Sequence, residues 1–477
     1  MARAARVILY CLIVWAPLPL ASNRPIFWVI NGALAVVAVG LFVAGEVRQK
    51  ARPNIEWHLV LWPLGAVSIW TLWMLIQTAP GAPAFFAHPV WSVLPPIGTQ
   101  GANTISGSPG ATWATIAQAV PTALLGFVAM RAAFRRERGE FLLKLIAGTS
   151  VAVAVYGLVA QHFHVEQVFL APSDAYAGVV TGTFVGRNAA ATYFIIGLAI
   201  TTSLLATRAQ ASIEASRGHF WLSVGEMMRT GSPYLLGSLI LAAAILKTGS
   251  RAGAAAAGVA LLVIAASAVR AAGAGRRTVA GIILLISAIL VVMVLAAGQI
   301  LFQRLETDPG IADRLLVYRD TLGMIFSRPL LGHGAGAFGD LYPLFHNLAS
   351  SRGVWNHAHD TYLQAAAELG LPVFALLVVT IIWLAVVILR EIKPNRAAPV
   401  CLAALGALAG TAFHAILDFG LQVQAVGLTM AVLLGAGFGD ALRLRRAGRE
   451  SVEQPRQVVK VSVKERINVS VPTTGAG

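Results

Sequence analysis

The chain has 477 residues, 57% of them hydrophobic and only 12% charged, with a mean hydropathy of +0.73. A soluble domain carries roughly a quarter charged residues, so this composition excludes an ordinary water-soluble fold. The net charge of +15 does not mark a nucleic-acid binder, because the basic residues are scattered through short loops with little aromatic interleaving.

Apolar runs of about 17 to 22 residues recur from end to end, each long enough to cross a bilayer core of about 30 Å as a helix. They predict an all-α polytopic bundle of about twelve spans. In chain order these lie near 7–22, 25–45, 56–77, 111–130, 141–161, 188–207, 234–249, 252–269, 279–302, 371–389, 400–417 and 423–440. The first run follows Arg3 and Arg6 and ends in the small residues Ala21 and Ser22, a pattern shared by signal peptides and first membrane helices. Either reading leaves the later topology unchanged. Cys11 and Cys401 fall in apolar runs far apart, which argues against a disulfide framework or a thiolate metal site.

Charge alternates between successive loops. Lys and Arg gather near residues 3–6, 48–52, 131–138, 208–229, 270–277, 390–396 and 443–446, whereas Thr78 to Trp113 contains no Lys, Arg, Asp or Glu. By the positive-inside rule both termini face the cytoplasm. Three long loops, about 78–110, 162–187 and 303–370, then face outward, and loops of that length are uncommon unless they work. N-terminal membrane helices occupy 1–169, C-terminal ones 391–440, and the polar tail 441–477 reads as disordered.

Arginines on the outward face stand out against this pattern. Arg187 and Asn188 open the sixth span, Ser250 and Arg251 form the turn between the seventh and eighth, and Arg314, Tyr318 and Arg319 are spaced for one face of a short helix in the large loop. A guanidinium binds phosphate oxygens in pairs and stays charged at any pH, although arginines in such places also anchor loops to lipid head groups. The large loop carries His357, His359 and Asp360 just before the tenth span, with Glu368 further on. Imidazole suits general-base work near neutral pH, and Asp360 could orient the ring of His359, with His357 a rival for the role. The spacing fits no zinc pattern, so no metal is expected. Gly334 to Gly339 matches G-x-G-x-x-G outside any βαβ unit and reads as a flexible turn that lets a substrate or lipid approach. His414 and Asp418 are four apart on the eleventh span, where pairing with each other is a sufficient role.

Pro329-Leu-Leu-Gly-His-Gly-Ala-Gly-Ala-Phe338, then His359-Asp-Thr-Tyr-Leu-Gln364 and Glu368-Leu-Gly-Leu371, resembles the signature of the O-antigen ligase and polymerase family. Asp360 stands where that signature usually has Asn. The segment from Phe184 to Tyr193 and the Ser250-Arg251 turn also fit, so the resemblance covers residues 170–390. It implies a GT-C-like glycosyltransferase of the bacterial inner membrane, active on the periplasmic side. The donor would be a glycan on undecaprenyl diphosphate and the acceptor a glycan or the lipid A core. By the family pattern Arg251 and Arg314 hold the diphosphate and His359 is the general base, with no cofactor required. Arg187, Asn188, Tyr318, Arg319, His357 and Asp360 are the expected substrate-binding residues. A ligase and a polymerase fit nearly equally. A secondary transporter coupled through His414 and Asp418 is the alternative from another class, and the halves of the sequence show no internal symmetry to support it.

Overall fold

A computed structural model describes residues 1–48, 56–93, 103–165, 167–168, 171–172, 178–216, 219–272, 310–346, 354–394 and 396–453. The helices are α1 Ala2–Trp15, α2 Pro25–Arg48, α3 Trp57–Thr78, α4 Pro109–Ala133, α5 Arg136–His162 and α6 Arg187–Ala215. They continue as α7 Phe220–Lys247, α8 Arg251–Ala271, α9 Gly310–Ser327, α10 Thr361–Leu369, α11 Leu371–Arg390, α12 Pro399–His414 and α13 Gln424–Glu453. A two-stranded hairpin pairs Gln167–Val168 with Ala171–Pro172.

The chain is a polytopic membrane helix bundle. Among the described residues nine helices are long and apolar enough to cross a membrane. The expected count of twelve is not reached: α1 has 14 residues and gives way to a kinked turn at Leu20–Ser22, and α12 has 16. The span expected at 279–302 lies outside the described residues. Burial sorts the rest: the most apolar window of α6 is 94% buried, against 22% for α2, α3 and α11. Helix α6 is therefore the central post, and the others present Val29, Leu61, Leu72 and Ile382 outward as a belt suited to lipid.

Small residues set the closest packing. A Cβ added at Gly435 or Gly439 of α13 would collide with the carbonyls of Gly126 or Met130 of α4, so two backbones touch where side chains would hold them apart. Helices α6 and α8 run parallel, meeting at Ala191 and Gly253 near their starts and at Gln210 and the Ala271 carbonyl near their ends. Helix α12 runs against both, with Gly410 facing Ile195 and the Ala256 carbonyl.

These directions leave the bundle with two unlike ends. One gathers the start of α1, the α4–α5 turn and the end of α13, where Arg131 is paired to Glu46 and Arg443 to Asp440. The other gathers the starts of α6 and α8, all of α9 and α10, and the end of α12. Every candidate site residue lies at this second end. The 303–370 stretch is not a plain loop there: α9 and α10 are regular helices, packed together over a core of Val317, Met324, Phe338, Tyr342 and Ala366. The tail also departs from expectation, because α13 continues to Glu453 instead of ending near Asp440. Its last turns are held by Arg446–Glu450 four residues apart and by Arg445 and Arg449 on Glu56.

Candidate functional site

Helix α9 presents two residues one turn apart. Arg314 donates from Nη1 to the carbonyl of Leu417 at 3.2 Å, and the Tyr318 hydroxyl donates to the carbonyl of His359 at 3.0 Å. Arg319 does not share that face. Its side chain is 64% exposed and turns to the Asp320 carboxylate at 3.2 Å.

His359 closes the turn before α10 with φ of 54°, a left-handed backbone that is uncommon outside glycine and costs energy unless its surroundings impose it. The turn after α12 supplies the restraint. Thr361 donates its amide to the Ala415 carbonyl at 2.8 Å and its hydroxyl to the Asp418 carbonyl at 2.9 Å, and the Tyr362 hydroxyl reaches the Ala412 carbonyl at 2.9 Å. In this clamp Nδ1 of His359 lies 3.2 Å from Oδ1 of Asp418, with the two side chains 24% and 2% exposed. A carboxylate only accepts, so Nδ1 carries a proton, and in the neutral ring the lone pair is then on Nε2.

Two expectations are corrected here. Asp360 does not orient His359. It is the N-cap of α10, where one carboxylate oxygen accepts from the amides of Tyr362 at 2.8 Å and Leu363 at 2.9 Å. Burial pushes its carboxyl above the ordinary range, and those two amides act in the opposite direction. Nor do His414 and Asp418 share a helix face, because α12 stops at His414. Nδ1 of His414 meets the Thr192 hydroxyl at 2.7 Å, which frees Asp418 for His359.

Phe419 organises both loop histidines. The ring of His357 stacks on it at 4.1 Å, while that of His359 meets it edge-on at 4.9 Å and Trp355 edge-on at 5.3 Å. Burial, then the neighbouring His359, holds His357 below the ordinary imidazole value. His357 Nδ1 and Trp355 Nε1 are buried with no hydrogen-bond partner among the described residues.

The glycine turn is built for its own chain rather than for a ligand. Gly334 and Gly336 adopt φ of 108° and 74°, and a Cβ on either would collide with Ser106 or Thr115. The Glu368 carboxylate takes the amides of Gly336 at 2.8 Å and Phe338 at 3.4 Å, together with the Gln364 amide group at 2.9 Å. Burial raises Glu368 to about 7, against the pull of those three donors. Behind the turn, His333 accepts at Nδ1 from His88 at 2.8 Å and donates from Nε2 to the Met324 carbonyl at 2.9 Å. Sequence reading gave neither Glu368 nor His333 this part.

Arg187, Asn188 and Arg251 stand at the adjoining starts of α6 and α8. Ser250 caps α8 by accepting the Gly253 amide at 3.1 Å, and Gly253 sits against Ala191. Thr192 links this group to the histidine cluster: it bonds the Asn188 carbonyl at 3.0 Å and His414, and Gly420 packs against it. Arg314, Tyr318, His357 and His359 thus gather round the 417–419 turn, with Arg187, Asn188 and Arg251 one helix turn beyond Thr192. Among the described residues no group of three or more His, Cys, Asp or Glu is placed to hold a metal ion.

No curated protein matches the chain. Residues 236–378, a narrower stretch than the resemblance covered, match the O-antigen ligase family. That stretch includes Arg251, Arg314, Tyr318, Arg319, His357, His359, Asp360 and Glu368 but neither Asp418 nor Arg187. The stretch of this membrane bundle that carries the loop histidines and Arg251, Arg314 and Arg319 is therefore similar to the O-antigen ligase family.

Proposed function

We propose that the chain transfers a glycan from undecaprenyl diphosphate to an acceptor hydroxyl at the outer face of the bacterial inner membrane. The observation that carries this reading is the His359–Asp418 pair set beside Arg314, with His359 and Arg314 inside the family-matched stretch. Nε2 of His359 takes the acceptor's proton as the acceptor oxygen attacks the anomeric carbon. The bond from that carbon to the diphosphate oxygen breaks, and the lipid diphosphate leaves as an anion. Arg314 and Arg251, with Arg187 at the neighbouring helix start, supply the positive charge that stabilises it. Tyr318 fixes the His359 backbone, and Asn188 and His357 line the approach, whereas Arg319, turned to Asp320, stands outside it. Asp360 serves by capping α10, which holds the turn.

The secondary-transporter alternative loses its coupling pair, since His414 bonds Thr192 and Asp418 bonds His359. The test is turnover by purified full-length protein with a lipid-linked donor, comparing wild type with His359→Ala and Arg314→Lys. Loss in both supports the reading, and wild-type turnover in both refutes it. Glycan analysis of a deletion strain separates the two family activities. Full-length polysaccharide left on the lipid carrier marks a ligase, and single repeats on the lipid A core mark a polymerase.

A further inference from the structure

The end of the bundle opposite the histidines holds a cavity of about 710 Å³ between the starts of α1 and α5 and the end of α13. Its walls differ in kind. Phe42, Val128, Ala132 and Phe134 form an apolar side, and six arginines and two glutamates, with Ala2 and Ala447, form the rest. Three of the arginines are neutralised: Arg131 by Glu46 at 2.7 Å, Arg446 by Glu450 at 2.7 Å, and Arg443 by Asp440 just outside the lining. Arg6, Arg135 and Arg138 make no ion pair among the described residues. Arg6 and Arg135 both stand close enough to Arg138 to repel its charge, with only Glu137 as a nearby acid.

Three like charges converging on one cavity, each without an acid of its own, leave room for an anion. A cationic rim over an apolar wall at the ends of membrane helices fits an amphiphile, because a phosphate can meet the guanidinium forks while acyl chains follow the wall. We propose that this cavity binds the phosphodiester headgroup of an anionic phospholipid through Arg6, Arg135 and Arg138. Free phosphate shares the headgroup's chemistry but gains nothing from Phe42 and Phe134. The site is remote from the transfer site, and the proposal does not rest on the reading given above.

The experiment uses the full-length protein in lipid nanodiscs of phosphatidylcholine doped with a fluorescent phosphatidylglycerol, and measures partitioning of the label to the protein. Wild type should concentrate the label. Arg6→Gln/Arg135→Gln/Arg138→Gln should weaken binding by about fivefold per arginine, on the order of a hundredfold in all. Arg135 is exposed at a helix turn, so Arg135→Gln alone tests the site without threatening the fold and should lose about fivefold. A control removing equal charge elsewhere, Arg229→Gln/Arg390→Gln/Lys393→Gln, should keep wild-type binding. The proposal is overturned if the control loses as much as the cavity variant, or if Arg135→Gln binds as wild type does. Displacement of the label by millimolar inorganic phosphate would also overturn it, since that marks a soluble-anion site.

Discussion

Replacing Asp418 by Asn exchanges one oxygen for nitrogen at a side chain 2% exposed, and leaves intact the backbone carbonyl that receives the Thr361 hydroxyl. The clamp that imposes the left-handed turn on His359 therefore survives. What changes is the partner of Nδ1. An amide nitrogen facing Nδ1 donates, so the ring then carries its proton on Nε2, where the acceptor hydroxyl would have to deliver one. If the amide turns its oxygen inward instead, the tautomer is kept but the carboxylate charge that stabilises the forming imidazolium is gone. General-base help contributes about 10²- to 10⁴-fold, or roughly 3 to 5.5 kcal/mol of barrier, and Asp418→Asn should lose most of it. Asp360→Asn is the matched control. Asn caps helices about as well as Asp, so that variant should stay within a few-fold of wild type. The assay is single-turnover transfer from a lipid-linked donor by purified protein, with helix content checked by circular dichroism. Near-wild-type transfer by Asp418→Asn, or equal losses at 360 and 418, would refute the dyad.

Arg314→Lys and Arg251→Lys keep the charge but lose the planar fork, and each should lower transfer at least tenfold while the protein still inserts; wild-type turnover in both would leave them as lipid anchors. Glu368, raised to about 7 by burial, favours the folded state most below the unfolded carboxyl value, and that contribution is lost as pH rises through about 7. Thermal unfolding of wild type should therefore show a decline between pH 4.5 and 7, on the order of 3 kcal/mol, that is flattened in Glu368→Gln. Gly435→Val sets a side chain against the Gly126 carbonyl and should destabilise the bundle by about 1 to 3 kcal/mol or more, read as a lowered unfolding temperature.

Much of the fold was legible because a bilayer imposes one length on every helix that crosses it, and apolar runs record that length directly. The errors fall where something other than bilayer thickness sets a helix end. The run at 400–417 looked like one span, but α12 stops at His414, where the ring meets Thr192 and Gly420 then lies flat against the same residue. Hydropathy carries no trace of that contact, which joins residues 222 apart. The tail departs in the opposite direction over its first part: the polarity of 441–453 read as disorder, yet the charges pair along α13 and across to Glu56 and carry the helix to Glu453, while 454–477 lie outside the described residues.

The site divides along the same line. Residue type and topology singled out Arg314, Tyr318 and His359, since arginine and histidine are conspicuous in loops otherwise poor in charge, and the structure brings the three round one turn. Partnership was not legible, because neighbours in sequence are the natural guess and the turn geometry overrides it. Asp360 directly follows His359 but is turned into the first amides of α10, whereas Asp418 arrives from 59 residues away on the turn after α12. The same left-handed turn that points His359 away from Asp360 aims it at Asp418, and restraints on that turn come from 412, 415, 418 and Tyr318. The reactive geometry is thus a property of how α9, α10 and α12 meet. Substitutions at Thr361 or Tyr362, which touch no substrate in this scheme, should misaim the ring nearly as much as removing its carboxylate partner does.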